Sequence, residues 1–173
     1  MNLDDVIEFA NEASDQIGKY KLEVILSPNH LRSNDYVINN LNWESIAYGK
    51  DELDSIPDNK RGVYAFVVSA PSAVLPPHGY VLYIGIAGRD SRRSLRARYK
   101  DYLNQKKIMK RERIARMIGH WHEVLRFFFV PLDDDVSNED IQRLEQQLNT
   151  ALIPPFSFGD LEAETKRKRR AFT

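Results

Sequence analysis

The chain has 173 residues, no cysteine, and equal numbers of basic and acidic residues, 25 of each. This length suits a single domain, and a hydrophobic fraction of 42% is enough to form a buried core. The lack of cysteine excludes disulfides, thiolate metal sites and a cysteine nucleophile. No apolar run approaches the roughly 20 residues that a membrane-spanning helix needs. The N-terminus is acidic, unlike a signal peptide, so we expect a soluble cytoplasmic protein with no membrane partner.

The zero net charge conceals a strong segregation of charge along the sequence. Residues 1–60 carry twelve acidic and five basic side chains, a balance of −7, whereas residues 86–120 carry twelve basic and three acidic side chains, a balance of +9. A further basic run covers residues 166–170. Such segregation is typical of a protein that binds a polyanion on one face. The solvated faces of ordinary helices are the alternative explanation.

Residues 1–60 are interpreted as an N-terminal extension that packs on the main domain. Apolar residues spaced three and four apart predict an amphipathic helix over residues 3–17, with Val6 and Ile17 on its apolar stripe. Alternating apolar and polar residues predict a strand over residues 20–26. Residues 30–60 show no clear pattern. At the other end of the chain, residues 161–173 are interpreted as a basic tail.

The main domain, residues 61–160, contains a regular series of predicted elements. Strands are predicted at 62–68, 80–86 and 124–132, and helices at 91–104, at 107–119 with Gly119 as its stop, and after a capping Ser137. The order β-β-α-α-β-α indicates an α+β fold with a small, mainly antiparallel three-stranded sheet and flanking helices, preceded by an α/β extension.

Two short triplets lie on the first two predicted strands of this domain. Gly62-Val63-Tyr64 opens one strand, and Tyr83-Ile84-Gly85 ends the next. Ser94-Leu95-Arg96-Ala97-Arg98 follows on a helix, and Glu145 lies on a late helix. In this order the motifs resemble the GIY-YIG nuclease family over roughly residues 62–158. The hairpin is also similar to the N-terminal nuclease domain of the bacterial excision-repair incision subunit, and the small size resembles stand-alone, restriction-type members.

The resemblance implies a metal-dependent DNA endonuclease that hydrolyses phosphodiester bonds. It implies that Tyr64 holds or deprotonates the attacking water, which requires a cation that lowers the pKa of its hydroxyl. It implies that Tyr83 orients water or phosphate and that Arg98 is the catalytic arginine, with Arg96 as the alternative. Tyr102 lies four residues after Arg98 on the same helical face, where some members place a tyrosine.

Glu145 borders the apolar stripe of the last predicted helix. A carboxylate in that position is costly unless it has a partner. A divalent cation is one such partner, and Mg²⁺ prefers oxygen ligands while it retains several waters. We therefore predict one Mg²⁺ or Mn²⁺ ion per active site with Glu145 as its ligand, and an ion pair with Arg143 is the alternative.

The chain departs from the family pattern at three places. Excision-repair members carry a lysine directly after the second triplet, where this chain has Ile86. Several members place an asparagine after the glutamate-bearing helix, where this chain has Ser157, although Asn149 one turn beyond the glutamate offers a substitute. The connection between the two triplet tyrosines is long, at 18 residues, and contains His78 as an alternative general base or phosphate contact.

Basic side chains on the predicted helices are candidates for contacting the DNA backbone, where they would contribute salt-dependent affinity rather than sequence preference. They are Arg92, Arg93, Arg96, Lys100, Lys106, Lys107, Lys110, Arg111, Arg113 and Arg116. With one active site per chain, cleavage of both strands would need a homodimer or two successive nicks. A catalytically inactive nucleic-acid-binding module of the same fold is the main alternative function, and a protein-interaction domain is the third.

Overall fold

The computed structural model describes residues 4–33, 35–69, 74–89 and 93–157. Its elements in chain order are α1 (Asp4–Gln16), α2 (Pro28–Leu31), β1 (Glu44–Ala47), β2 (Gly62–Val68), β3 (Tyr80–Ala87), α3 (Leu95–Leu103), α4 (Gln105–Ile108), α5 (Glu112–Trp121), β4 (Leu125–Pro131) and α6 (Asn138–Leu152). The fold is α+β with one antiparallel sheet of four strands in the order β1-β4-β2-β3. The predicted fold class is confirmed.

Helices cover both faces of the sheet. On one face, α3 and α5 pack on Tyr64, Phe66 and Phe127, which belong to an aromatic-rich core cluster. On the other face, α6 packs on an aliphatic cluster that includes Val63 and Ile84. Strand β2 lies between β3 and β4, so both of its faces are buried along almost its whole length. This position explains its unbroken run of apolar residues.

The predicted hairpin of residues 62–68 and 80–86 is confirmed as β2 and β3. The register places Tyr64 opposite Gly85 and Phe66 opposite Tyr83. Because side chains alternate along a strand and directly opposed residues share a face, both triplet tyrosines lie on the face that α3 covers. A register shift between Phe66 and Val67 ends this regular pairing.

The N-terminal extension differs from its prediction in two ways. Residues 20–26 are not a strand. Tyr20 ends a 3-10 helical turn, Gly18–Tyr20, and residues 21–26 pair with no described strand. The apolar side chains of Val24 and Leu26 are half exposed, because no sheet buries them. Conversely, β1 was missed, and it pairs with β4 as the fourth strand, so the prediction of three strands is wrong.

The helices follow their predicted positions with local corrections. The predicted helix at 107–119 is two helices, α4 and α5, and Gly119 lies inside α5, which continues to Trp121. Helix α3 begins after Ser94, whose Oγ accepts a hydrogen bond from the backbone N–H of Ala97. Helix α6 begins after Ser137 as predicted, with Oγ of that serine accepting from the Asp140 N–H at 3.0 Å.

In the part of the chain that the structure describes, no helix is long and apolar enough to cross a membrane. Arg92 and the predicted basic tail of residues 161–173 lie outside the described residues.

Candidate active site

The two glycines of the triplets are required by the packing around them. A Cβ atom at Gly62 would collide with the backbone carbonyl oxygen of Val130 on β4 and would lie 2.9 Å from Cδ1 of Leu95 on α3. A Cβ atom at Gly85 would lie 2.6 Å from the hydroxyl oxygen of Tyr64 and 3.0 Å from the ring of Tyr83. These distances are far below ordinary contact, so each triplet needs its glycine for close packing against a strand or a tyrosine.

Three tyrosine rings meet beside the buried Gly85, whose missing side chain leaves room for them. The ring centroid of Tyr64 lies 6.2 Å from that of Tyr83 and 5.8 Å from that of Tyr102, and the last two lie 6.2 Å apart. Tyr64 and Tyr102 are fully buried, whereas Tyr83 is partly exposed. Tyr83 therefore forms the outer side of this tyrosine cluster, which we define as Tyr64, Tyr83 and Tyr102.

Arg98 is the cation that hydrogen-bonds to the tyrosine cluster. Its Nε donates a hydrogen bond to the Tyr64 hydroxyl at 3.1 Å, and the hydroxyls of Tyr64 and Tyr102 lie 2.8 Å apart in a second hydrogen bond. The side chain of Arg98 is 32% exposed. Its guanidinium thus links two buried hydroxyls to the surface, and its planar fork suits phosphate oxygens.

Burial determines the protonation state of Tyr64. Burial raises the pKa of Tyr64 well above its ordinary value, neighbouring Tyr102 and Tyr83 raise it further, and the opposing effect of Arg98 is smaller. The same contact with Tyr64 raises the pKa of Arg98, so the guanidinium remains charged. Arg98 does lower the pKa of Tyr64, as expected, but burial outweighs that effect, so Tyr64 is a neutral hydroxyl that can donate a hydrogen bond.

Asp101 holds three cations beside the cluster. Its carboxylate is 4.0 Å from Nη1 of Arg98, 2.6 Å from Nη2 of Arg93 and 2.6 Å from Nζ of Lys107. Burial raises the pKa of Asp101, but hydrogen bonds from Lys107 and Arg93 outweigh that effect and the net pKa is lowered. Arg93 and Lys107, predicted as DNA contacts, are thus paired with Asp101, which restrains the arginine of the site.

Arg96 is engaged in anchoring α3 to the extension. Its guanidinium donates to the carbonyl of Ile56 at 2.6 Å and to the carbonyl of Asp54 at 2.8 Å, and it pairs with the Asp54 carboxylate at 3.2 Å. The backbone N–H of Leu95 adds a hydrogen bond to the carbonyl of Lys60 at 2.8 Å. Of the two arginines considered for the catalytic role, the structure therefore brings only Arg98 to the tyrosines.

Residues 48 and 49 support the same helix from the extension. The Tyr48 hydroxyl donates to the backbone carbonyl of Tyr102 at 2.7 Å. The Tyr99 hydroxyl accepts from the N–H of Gly49 and donates to its carbonyl, each at 2.9 Å. The extension thus positions both ends of α3, which carries Arg98.

Glu145 lies on a different layer from the tyrosine cluster. It is on α6, which packs against β3 and β2 from the opposite sheet face, and it is 9% exposed. Asn149, one turn later, donates from Nδ2 to the Glu145 carbonyl at 2.9 Å, while its own Oδ1 is buried without a hydrogen-bond partner. A carboxylate and an unpaired amide oxygen one turn apart are the donor type that Mg²⁺ accepts. Among the described residues, no group of three or more His, Cys, Asp or Glu side chains forms a fuller metal site.

The departures at Ile86 and Ser157 have structural explanations. Ile86 packs on the aliphatic cluster beneath α6, away from the tyrosines. The Ser157 hydroxyl accepts from the N–H of Ile84 at 2.8 Å and donates to its carbonyl at 3.3 Å, and the Phe156 N–H bonds to the carbonyl of Leu82. Ser157 therefore covers the outer edge of β3 at Ile84, the middle residue of the second triplet.

His78 is not brought to the cluster by any contact that the structure shows. Its Nδ1 lies 2.9 Å from the Pro76 carbonyl oxygen and its ring faces Tyr80 at 6.0 Å. Tyr80 is five residues before Gly85 on β3, a separation of roughly 16 Å along a strand. The structure gives no support to His78 as a base or phosphate contact at this site.

The remaining predicted DNA contacts form a basic surface on α3 to α5. Most of these side chains are exposed: Lys100, Lys106, Lys110, Arg113 and Arg116. Arg111 differs, because it is partly buried and its guanidinium lies over the ring of Tyr102 at 4.5 Å. The sequence alone did not separate these exposed cations from the paired Arg93, Arg96 and Lys107. One signal was present, since Asp101 is an isolated acid in a strongly basic segment.

No protein-family model matches the chain, and comparison with curated proteins and with solved structures found no match. The geometry itself offers a charged guanidinium that reaches the surface, two hydroxyls behind it and, on the helix that covers the opposite face of the sheet, a buried carboxylate. Groups of this kind can bind a phosphate and stabilise negative charge that develops on it.

Proposed function

We propose that this protein is a metal-dependent DNA endonuclease that hydrolyses phosphodiester bonds, with a GIY-YIG-like active site formed by Tyr64, Tyr83, Arg98, Tyr102 and Glu145. The observation that carries the proposal is the hydrogen bond of the Arg98 guanidinium to the Tyr64–Tyr102 hydroxyl pair at the end of the two-triplet hairpin. A charged fork that is oriented by two buried hydroxyls is preorganised for an anion, and preorganised charge is what lowers the barrier to phosphoryl transfer.

In this proposal each side chain has a defined part. Arg98 binds a non-bridging oxygen of the scissile phosphate and neutralises its growing charge. Tyr64, held protonated by burial, accepts from Arg98 and, after a local rearrangement, donates a hydrogen bond that orients the attacking water or the phosphate, rather than removing a proton as a phenolate. Tyr83, on the exposed side of the cluster, contacts the substrate.

Glu145, with the Asn149 amide oxygen one turn away, would hold one Mg²⁺ or Mn²⁺ ion. Such an ion supplies Lewis acidity to the leaving oxygen and acidifies bound water. With a bound ion lowering the pKa of the water, Tyr64 would not need to ionise.

DNA is proposed to lie along the basic surface of α3 to α5. This surface carries exposed lysines and arginines. Arg93 and Lys107, which pair with Asp101, add positive charge beside the site. Contacts of this type bind the backbone through counterion release, so affinity is expected to fall steeply with salt. A homodimer that cuts both strands, acting in restriction or host defence, is the setting proposed with this function.

A catalytically inactive DNA-binding module is the second candidate. The observation in its favour is that Tyr64 and Tyr102 are both fully buried, so their hydroxyls reach a substrate only through Arg98 or after a local rearrangement. This candidate predicts binding to the same basic surface without cleavage.

The two candidates are separated by incubating the full-length protein with supercoiled plasmid and with linear DNA and RNA, in Mg²⁺ or in chelator. The nuclease proposal predicts nicking or linearisation in Mg²⁺ and none in chelator. Glu145→Gln is expected to slow cleavage by roughly a hundredfold or more, the usual cost of removing a group that stabilises transition-state charge.

Glu139→Gln is the matched control, because Glu139 is exposed on the first turn of the same helix. It should cut at the wild-type rate. Equal cutting by Glu145→Gln and wild type would remove the metal assignment, and DNA binding without cleavage in any metal would favour the inactive module.

A further inference from the structure

Arg111 has an environment that the proposed function does not account for. It is the residue directly before α5, and its guanidinium carbon lies 4.5 Å from the centre of the Tyr102 ring. The side chain is partly buried, and its Nη2 is buried without a hydrogen-bond partner. With the described residues, this guanidinium makes a ring contact but no hydrogen bond and no ion pair.

This arrangement is costly for the folded protein alone. A guanidinium has five N–H donors, and a buried donor without a partner loses its hydration with no compensating bond. The contact with the Tyr102 ring offsets only part of that loss, since a cation over an aromatic face is a modest interaction. The neighbouring cations show how the chain usually resolves such a cost, because Arg93 pairs with Asp101 and Arg96 with Asp54.

The location of Arg111 indicates what would compensate it. The Tyr102 hydroxyl bonds to the Tyr64 hydroxyl, which accepts from Arg98. Two guanidiniums therefore contact the same pair of tyrosines, Arg98 through a hydroxyl and Arg111 over a ring. Arg111 lacks a hydrogen-bond acceptor, and an anion bound at Arg98 would supply one. Phosphate offers several oxygen acceptors to planar N–H donors.

We propose that Arg111 is a second substrate-binding arginine of the tyrosine site, which together with Arg98 clamps the phosphate group of the nucleic acid. This inference rests on the proposed function for the identity of the substrate, but it requires only that the site binds phosphate. Arg111 contacts a non-bridging oxygen opposite the one held by Arg98, and the free protein keeps its Nη2 donor unpaired for that oxygen.

The test is a titration of the full-length, metal-free protein with inorganic phosphate, followed by NMR of the arginine Nε–H groups. The resonance that disappears in Arg111→Gln assigns Arg111. We expect that resonance to move with phosphate in the wild type, and phosphate to bind at least about tenfold more weakly to Arg111→Gln, the loss typical of one charge-assisted hydrogen bond. Arg111→Lys, which retains the charge without the fork, should bind with intermediate affinity.

Arg32→Gln is the matched control, because it removes one positive charge from an exposed position in the N-terminal extension, outside the basic surface. It should bind phosphate as tightly as the wild type does. The inference is overturned if the Arg111 resonance does not respond to phosphate, or if both glutamine variants weaken phosphate binding equally. If Arg111→Gln does not fold, the wild-type titration assigned with Arg111→Lys decides the question.

Plasmid cleavage by the same proteins keeps the two proposals distinct. A wild-type protein that binds phosphate through Arg111 but never cuts DNA supports this inference and contradicts the nuclease function. A wild-type protein that cuts DNA while Arg111→Gln cuts and binds phosphate equally well supports the function and removes Arg111 from it.

Discussion

Tyr64 shows how burial and a neighbouring cation compete at a single hydroxyl. The side chain is fully buried beneath Tyr102 and Tyr83, and Arg98 contacts it only through Nε. Burial raises the free energy of the phenolate by more than the attraction of one partly exposed guanidinium lowers it. The pKa of Tyr64 is therefore raised. The sequence supplied the arginine and the tyrosine but not the degree of burial, and burial decides which form of the hydroxyl is present.

The raised pKa of Tyr64 predicts how the protein titrates with base. The folded state keeps a proton that the unfolded chain releases near pH 10, so the resulting stability is present below that pH and is lost as the pH rises above it. Up to about pH 10, the tyrosinate absorbance of the folded protein should therefore be the same in wild type and in Tyr64→Phe. A smaller absorbance change in the variant would show that Tyr64 ionises in the wild type.

At the scale of elements, the hairpin is the part that the sequence predicted most closely. Glycine, aromatic and β-branched residues define β2 and β3, and both triplet glycines prove to be sites of close approach. The capped helix α6 was predictable for a similar reason, because Ser137 and Asp140 act locally. Signals that depend on neighbours in the chain were therefore sufficient for these elements.

Elements that depend on distant partners were missed or assigned wrongly. Strand β1 has only four residues, Glu44–Ala47, two of them polar, and becomes a strand because β4 offers a free edge. Residues 20–26 alternate well but meet no such edge. The ion pair of Arg96 with Asp54 joins residues that are 42 positions apart in the sequence. Long-range pairing therefore limits prediction of both the sheet and the site.

Glycine substitutions test the packing of the hairpin. Gly62→Ala should lower the free energy of unfolding by about 1–3 kcal/mol, because the new Cβ collides with the Val130 carbonyl oxygen and forces a backbone shift. Gly119→Ala is the matched control, since it lies inside α5 with open space around it and should raise stability by about 0.5–1 kcal/mol. Urea unfolding measures both. A neutral Gly62→Ala would contradict the close approach of β2 and β4.

At the scale of the whole molecule, residues 44–60 are part of the machinery that positions the site. They supply a strand of the sheet, the carbonyls that hold Arg96, and the Tyr48 hydroxyl that bonds to the backbone of Tyr102. The acidic balance of residues 1–60 and the basic balance of residues 86–120 are consistent with this division of work. The acidic segment supports α3, and the basic segment is where we propose that DNA binds.

The central claim is that Arg98 and the tyrosine cluster catalyse cleavage rather than only bind DNA. The most direct measurement is the single-turnover rate of DNA cleavage in Mg²⁺ at saturating protein, for wild type and for Arg98→Lys, with DNA affinity measured in parallel. Lysine keeps the positive charge but loses the planar fork and the Nε donor to Tyr64.

We predict that Arg98→Lys binds the same DNA with little change in affinity. Its cleavage rate should be lower than that of the wild type by a factor of roughly a hundred or more. Wild-type protein that binds DNA but leaves it intact in Mg²⁺ and Mn²⁺, or an Arg98→Lys variant that cuts at the wild-type rate, would contradict the claim.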